Sequence, residues 1–251
     1  MSEDSQPLRD GRLLFRPKLL PSLLTLLMVA VLIGLGSWQL QRLEWKIALL
    51  ADMEQRTAAA PITLGEALAS PGTAEYRPIR VTGRWLHDRE MRLLARTYRG
   101  EPGLHIVTPL ALSDGQRLLV DRGWVSLSAE DPALRADGQP EGIVTLVGLA
   151  RLGGWQGRDF LRPENDPAAN AWLWMDLPEM AEAAGLSQPV TQLYLAAIAD
   201  QHSGRYPIGG QTRVELKNDH LQYAITWFTL AAAAAVIFVL SQRRRRDEAS
   251  A

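Results

Sequence analysis

Three side chains near the C-terminus have the types and spacing of a ligand site. His220 precedes Tyr223 by three positions and Trp227 by seven, so the three share one face if the segment is a continuous helix. A neutral imidazole can ligate haem iron, and aromatic rings can cover a porphyrin. The spacing therefore fits a haem site, and it equally fits a row of anchoring side chains at a membrane surface, where the same residue types are common.

A second set of side chains with complementary chemistry lies near the N-terminus. Trp38, Arg42 and Trp45 share a face by the same helical spacing. A guanidinium pairs well with carboxylates such as haem propionates. If the two segments are helices that pack side by side, an imidazole, several aromatic planes and a guanidinium converge at one depth.

Each set lies at one end of a long uncharged segment. Residues 19–40 and 221–242 contain no charged side chain, and at a rise of about 1.5 Å per residue each spans about 33 Å, enough for a hydrocarbon core of about 30 Å. A buried core helix of this length would show a polar face. A cleaved signal peptide would end in small residues, whereas Gln39, Gln41 and Arg42 follow the first segment. Two transmembrane helices are therefore predicted.

The basic residues at the outer flanks of these helices predict their orientation. Four basic residues precede the first helix, and Arg243–Arg246 directly follow the second. Because Lys and Arg are retained on the cytoplasmic side, residues 1–18 are predicted to be a cytoplasmic tail and residues 243–251 a cytoplasmic basic tail. Residues 41–220 are then a translocated domain.

The composition of the N-terminal tail favours one compartment. The tail contains Glu3, Asp4 and Asp10, unlike an acidic-poor mitochondrial transit peptide. We therefore expect a multi-pass protein of a bacterial cell inner membrane, with a periplasmic central domain that contacts the lipid bilayer only through its helices.

The central domain has the pattern of a β-rich fold. The first helix is expected to continue to about Arg56 and to stop before Pro61, and Thr63 with Glu66 forms a capping-box pattern. From Tyr76 onward, apolar and polar residues alternate as in half-buried strands. Candidate strands occupy residues 76–85, 91–98, 104–112, 117–125, 143–150 and 190–198, and a helix occupies residues 177–184. The fold class is a membrane protein with two transmembrane α-helices flanking a mainly antiparallel β domain of the α+β type, an open sheet or a small barrel.

Two further predictions concern the burial of individual segments. Residues 143–150 form a continuously apolar run, which predicts a strand buried on both faces. The arginines of residues 77–99 are interpreted as a solvated strand face, because acidic residues outnumber basic ones by 23 to 19 over residues 41–220. Nucleic-acid binding is therefore not predicted.

Other kinds of chemistry find no support in the sequence. The chain has no cysteine, which excludes disulfides, thiolate metal sites and a cysteine nucleophile. No phosphate-binding loop, dinucleotide fingerprint, hydrolase elbow or zinc-protease motif occurs. His87 and His105 are interpreted as structural and His202 as solvated. We therefore predict no catalytic residue and no enzyme, with a membrane-anchored hydrolase as the weakest alternative.

Several motifs along the chain together resemble a known family. They include Gly36–Lys46, Tyr76–Gly83, Gly103–Leu110, Leu119–Val125, Arg162–Asp166 followed by Trp172, and Asn218–Trp227. The order and types of these residues resemble the surfeit locus protein 1 family of cytochrome c oxidase assembly factors. Since the matches run from Gly36 to about Leu240, the resemblance covers most of the chain.

The resemblance implies a role in maturing the haem a centre of oxidase subunit I in an aa3-type enzyme. Bacterial family members are described as binding haem a, and the family's candidate ligand carries over to His220, which would bind a metal only through haem iron. The chain would then be a chaperone that holds haem a transiently, with subunit I as a partner and haem A synthase as a further candidate partner. The sequence has Asp219 where the family usually has Asn, and this carboxylate is a candidate hydrogen-bond partner for the imidazole.

A structural assembly scaffold is the alternative function. Such a protein would stabilise nascent subunit I through its helices and outer domain without holding a cofactor. The small residues Ala231–Ala235, and the pair Ala30 and Gly34, would permit a close approach between helices. The sequence leaves self-association open.

Overall fold

The structure is a computed structural model, and it describes residues 13–15, 18–198, 206–211 and 218–245. These residues belong to two compact units, one within Met1–Leu50 and Leu216–Ala251 and the other within Ala51–Glu215. The elements in chain order are β1 (Leu13–Phe15), α1 (Leu19–Thr57), α2 (Leu64–Ala69), α3 (Pro71–Ala74), β2 (Pro78–Trp85), β3 (Met91–Tyr98), β4 (Glu101–Leu112), β5 (Arg117–Ser126), β6 (Ile143–Arg151), β7 (Ala171–Trp172), α4 (Leu177–Ala183), β8 (Pro189–Ala197), α5 (His220–Ser241) and β9 (Arg243–Arg245).

The first unit is built on two helices that are long and apolar enough to cross a membrane, α1 and α5. Most of their large apolar side chains are exposed, including Leu20 and Ile237. The predicted continuation of the first helix is confirmed, since α1 ends at Thr57. Proline restricts the residue that precedes it, so a helix is not expected to continue through Pro61.

The two helices of this unit form an antiparallel pair. Gly36 of α1 is buried, and a Cβ added there would lie 2.7 Å from the ring of Phe228 on α5. At the other end of the pair, the backbone N–H of Lys18 donates to Gln242 Oε1 at 3.2 Å. The less exposed positions of α1 alternate at spacings of three and four, the pattern of a coiled-coil seam: Ser22, Thr25, Val29, Leu32, Gly36 and Gln39.

The second unit contains a sheet that closes into a barrel of five strands. The strand order is β2-β6-β8-β5-β4-β3-β7, and β2 also pairs with β4. Closure is possible because β4 is shared: its residues 101–107 pair with β3, whereas Leu110, Ala111 and Leu112 pair with the end of β2. Of the two predicted architectures, the small barrel is therefore the one observed.

The sheet is mainly antiparallel, as predicted, but two of its pairings are parallel. β8 lies parallel to β5, and β7 lies parallel to β3. A parallel pairing needs a crossover connection, and α4 lies between β7 and β8 in the connection that returns the chain to β5. Alternation of residue types does not encode strand direction, so the sequence pattern gave no sign of it.

The expectation of a strand buried on both faces is wrong for the first half of β6. Ile143 is 73% exposed, and only Gly148, Leu149 and Ala150 are fully buried. The apolar side chains in this half of the strand remain accessible at the end of the barrel. An apolar run therefore does not by itself establish burial on both faces.

Three apolar clusters hold the domain together, and the two larger ones include the barrel interior and the contact with α4. The barrel interior contains side chains from all five strands, and α2 and α3 pack against it, so they plug the end where β2 begins. The predicted capping box of α2 is confirmed: Glu66 N–H donates to Thr63 Oγ1 at 3.3 Å, and Thr63 N–H donates to the Glu66 carboxylate at 2.7 Å. The second cluster lies between the sheet and α4, with Trp172 and Met180 fully buried.

Candidate functional site

The candidate ligand His220 is held by a hydrogen bond between the two helices of the first unit. His220 is the first residue of α5, and its Nδ1 lies 2.7 Å from Oε1 of Gln39 on α1. Both side chains are partly buried where the helices pair. The pairing of α1 with α5 therefore fixes the position of the imidazole.

This hydrogen bond also selects the tautomer of the imidazole. An amide oxygen only accepts, so Nδ1 carries the proton and donates to Gln39. The lone pair of the imidazole is then on Nε2, which is the nitrogen that could act as a ligand. Metal-binding histidines use this arrangement, in which the second ring nitrogen is fixed by an outer partner.

Two of the side chains predicted for the site, Arg42 and Tyr223, lie one helical turn from this hydrogen bond, and Trp227 lies two turns away. Arg42 follows Gln39 by three positions on α1, and Tyr223 follows His220 by three positions on α5, so each is a helix-surface neighbour. Trp38 and Tyr223 are each 54% exposed. Trp227 is partly buried.

The predicted convergence is therefore only partial. The guanidinium of Arg42 lies 3.9 Å above the ring of Trp45 on its own helix. Among the described residues, no hydrogen bond or ring contact joins Arg42 or Trp38 to His220. The structure brings together His220 and Gln39, and it leaves the aromatic and cationic neighbours exposed on either side.

Gln39 was not singled out by the sequence reasoning, which proposed Asp219 as the partner of the imidazole. Asp219 occupies the N-cap position of α5, and the partner of Nδ1 is Gln39. One signal could have revealed it, since Gln39 lies three positions after Gly36 on the seam of α1. A polar residue at a seam position needs a partner on the facing helix.

These residues have the chemistry that a haem requires at one axial position. The imidazole offers Nε2 as a nitrogen ligand, Gln39 fixes its orientation, and exposed aromatic side chains flank it within one turn. The guanidinium of Arg42 could move from Trp45 to a propionate, because cation–π contacts at exposed positions are weak, about 0.5–1 kcal/mol. In the described part of the chain, no group of three or more His, Asp or Glu residues could hold a bare metal ion.

A second histidine of the chain forms a buried pair in the domain. His105 Nδ1 lies 2.9 Å from Asp121 Oδ2, and both side chains are nearly buried. The Asp121 carboxylate also accepts from the backbone N–H of Gly123 at 3.0 Å. This arrangement fits a structural role for His105, because the pair joins β4 to β5. His87 Nε2 lies 3.1 Å from the carbonyl oxygen of Pro140, which also fits a structural role.

A buried tyrosine stands close to this pair. Burial raises the pKa of the Tyr194 hydroxyl to about 12, and the negative charge of Asp121 adds to the effect. Tyr194 therefore stays neutral at any physiological pH and cannot act as a general base. His202 lies outside the described residues.

The motifs of the domain have a clear structural role. Gly123 has φ +111°, and a Cβ there would lie 2.0 Å from the carbonyl oxygen of Ile208. Trp124, the next residue, exchanges two backbone hydrogen bonds with Ile208, at 2.9 and 2.8 Å. Gly103 packs under Trp124, where a Cβ would lie 2.4 Å from its Nε1. The two motifs around Gly103 and Gly123 therefore build one corner of the barrel.

Comparison with known proteins covers both units. The sequence model of the SURF1 family matches residues 26–232. The chain is 39% identical to Surfeit locus protein 1 of Mus musculus over 223 residues, which cover 83% of this chain and 71% of the mouse protein. It is 37% identical to Surfeit locus protein 1 of Homo sapiens over 224 residues, 83% of this chain and 73% of the human protein. It is 39% identical to the SURF1-like protein of Drosophila melanogaster over 226 residues, with coverage of 83% and 73%. The chain belongs to the SURF1 family.

Proposed function

We propose that this protein is a cytochrome c oxidase assembly factor that holds haem a at the paired ends of α1 and α5 and releases it to subunit I. The observation that carries this proposal is the hydrogen bond from His220 Nδ1 to Gln39 Oε1, which leaves Nε2 available as an axial ligand. Membership of the SURF1 family supports the assembly role.

The chemical nature of the partner of the His220 imidazole suits a ligand that must release its haem. A carboxylate partner raises the basicity of a ligating imidazole and strengthens its bond to the metal. Gln39 offers a neutral amide oxygen instead, so it orients the ring with a smaller gain in basicity. His220 would then be a reversible ligand. Trp38, Tyr223 and Trp227 would cover the porphyrin ring of the haem, and Arg42 would pair with one of its propionates.

The surroundings of the site follow from the same proposal. α1 and α5 span a bacterial inner membrane with both termini in the cytoplasm, and the barrel domain lies in the periplasm. The pairing of Lys18 with Gln242 supports a common side for the two flanks, since both residues lie at the far end of the helix pair from His220. The protein acts by binding and transfer, not as an enzyme, and haem A synthase is a candidate donor.

The His220→Ala variant tests the ligand assignment. Coexpressed with the haem a pathway and purified, the wild-type protein is expected to show a Soret band, and the variant is expected to lose most of it because the axial nitrogen is gone. His87→Ala is the matched control, since His87 lies in the other unit and its Nε2 contacts a backbone oxygen. A Soret band that is absent from the wild-type protein, or unchanged in His220→Ala, would contradict the proposal.

The Gln39→Leu variant tests the role of the outer partner. Without its acceptor, the imidazole can rotate or change tautomer, so we expect haem affinity to fall about 10–100-fold, the usual effect of losing such a partner. Gln41→Leu is the control, because Gln41 is exposed two positions away. The measurement is haem titration of the purified apoprotein. Equal affinities for the two variants would show that Gln39 does not position the ligand.

One observation favours a structural scaffold as a second candidate. Ala30 and Gly34 are exposed, and no atom lies within 4 Å of a Cβ added at Gly34. The close contact of α1 with α5 occurs at Gly36, and Ala231 of α5 is buried. The small-residue face of Ala30 and Gly34 is therefore free for a helix of a partner such as subunit I.

A further inference from the structure

The two ends of the barrel differ in the part of the domain that the structure describes. α2 and α3 close the end where β2 begins. At the opposite end, where β2 finishes and β6 starts, lies a cavity of about 390 Å³. Most of the side chains that line it are apolar, among them Trp85, Val144, Leu146, Ala197, Ile198 and Pro207, whereas Thr145 and Arg122 are polar and polar atoms make up nearly half of the cavity surface. The mouths of β-barrels are a common place for small-molecule sites of this size.

One charged side chain, Arg122, lines this cavity. It lies on β5 beyond Leu118 and Val120, whose side chains belong to the barrel interior, and its Cζ lies 4.7 Å from the centre of the Trp85 ring. Its Nη2 donates to the carbonyl oxygen of Gly138. Its Nη1 is buried and has no acceptor among the described residues.

The positive charge of Arg122 is only weakly compensated. Burial lowers the pKa of its guanidinium to about 10, and the nearby charge of Arg135 lowers it further, whereas Glu90 acts in the opposite direction. Glu90 is already engaged in a buried ion pair with Arg135. A buried cation with a free donor is costly unless an acceptor reaches it, so the cavity has the electrostatics of an anion site.

The walls of the cavity decide which kind of anion fits. A single guanidinium among apolar side chains matches one negative charge. A dianion such as a phosphate monoester would bring a second charge with no partner into a cavity lined mostly by apolar side chains, which is strongly unfavourable. A ligand with an apolar body and one carboxylate satisfies both the walls and Nη1.

We propose that the cavity at this end of the barrel binds a small apolar carboxylate. Its oxygens accept hydrogen bonds from Arg122 Nη1, and its apolar body lies against Trp85 and Val144. The site lies entirely within the domain, so it is independent of the haem site on the helix pair. It gives the domain a ligand of its own, beyond the role proposed for His220.

The test is binding of 2-naphthoate to the full chain in lipid nanodiscs, measured by saturation transfer in proton NMR. Neutral 2-naphthalenemethanol and dianionic 2-naphthyl phosphate are the comparison probes. We expect the carboxylate to bind about tenfold or more tightly than the alcohol, because a hydrogen bond to a charged group gives that order of discrimination. We expect the phosphate monoester to bind more weakly than the carboxylate.

Three variants locate the site. Arg122→Gln should remove the preference for the carboxylate over the alcohol, whereas Arg84→Gln, at an exposed position of β2, should keep it. Ala197→Phe fills the cavity and keeps the charge, so it should reduce binding of all three probes. Thermal unfolding of each variant shows whether the domain is intact, and the wild-type probe comparison decides the proposal even if a variant does not fold.

Several results would overturn the proposal. They are no binding of 2-naphthoate to the wild-type chain at millimolar concentration, equal binding of the carboxylate and the alcohol, tighter binding of the phosphate monoester, or an unchanged preference in a folded Arg122→Gln variant. Binding that persists in a folded Ala197→Phe variant would place the probe elsewhere on the protein.

Discussion

Replacing Gly123 with alanine destabilises the domain by about 3 kcal/mol or more. Two costs combine at this position. The φ of +111° is one that L side chains rarely adopt, and a Cβ would lie 2.0 Å from the carbonyl oxygen of Ile208, a backbone atom that cannot rotate away. The clash would also break the two hydrogen bonds that join Trp124 to Ile208. Tryptophan fluorescence during thermal unfolding of the full chain in nanodiscs measures the effect.

Gly142→Ala is the matched control for this prediction. Gly142 also has a positive φ, +88°, but nothing lies within 4 Å of an added Cβ. Gly142→Ala should therefore lower the free energy of unfolding only by the cost of the unfavourable backbone conformation, about 1 kcal/mol. For a domain of this size the midpoint should fall by about 2–4 °C for Gly142→Ala and by about 6–12 °C for Gly123→Ala. Equal shifts for the two variants would show that the close approach to Ile208 contributes nothing.

Replacing Gly36 with leucine should separate α1 from α5 and abolish the ligand site. The Cβ alone would lie 2.7 Å from the Phe228 ring, and the remaining atoms of leucine need space that the seam does not contain. Because Gln39 lies one turn further along α1, it would lose its contact with His220. We expect haem content and oxidase activity in cells to fall about tenfold or more, as for loss of an outer partner.

Gly34→Leu is the control for this prediction, and it also separates the two candidate functions. Gly34 is exposed and has open space around it, so this variant should keep the helix pair and the bound haem. If the protein acts as a scaffold through this face, Gly34→Leu should instead reduce oxidase activity while haem binding is unaffected. A second change, Phe228→Ala, makes room beside residue 36 and should restore part of the function of Gly36→Leu. Normal haem binding by Gly36→Leu alone would contradict the assigned helix contact.

The sequence patterns located the elements well where the signals are local. The predicted strand at residues 91–98 coincides with β3, since its alternation is bounded by a turn-rich segment. The helix capped by Asp176 runs from Leu177 to Ala183, with Asp176 accepting from Glu179 N–H at 3.2 Å. Arg80 and Arg84 are exposed, as the solvated-face interpretation requires, whereas Arg92 is partly buried and forms an ion pair with Glu130, so the interpretation holds for only part of the set. The confirmed features depend on neighbours within a few residues.

The features that the sequence did not reveal depend on distant partners. Gln39 and His220 are 181 positions apart, and the ladder between β2 and β4 closes the barrel across about 27 residues of chain. In the sequence, Arg122 cannot be distinguished from the other arginines of the strands. Its burial becomes apparent only in the closed barrel. Spacing could place His220, Tyr223 and Trp227 on one face of a helix, but only the helix pair shows that Gln39 holds the imidazole.

The separation of Gln39 from His220 also sets an order of events during synthesis. At about 5–20 residues per second, the 181 intervening positions delay the second partner by about 10–40 seconds. In that interval β2, β4, β5, β6 and β8 have all emerged, so the barrel can close before α5 exists. The imidazole and its partner meet only when the last helix is complete. A chain interrupted at any earlier point presents Gln39 without the imidazole, so the paired site exists only in molecules whose α5 has been made.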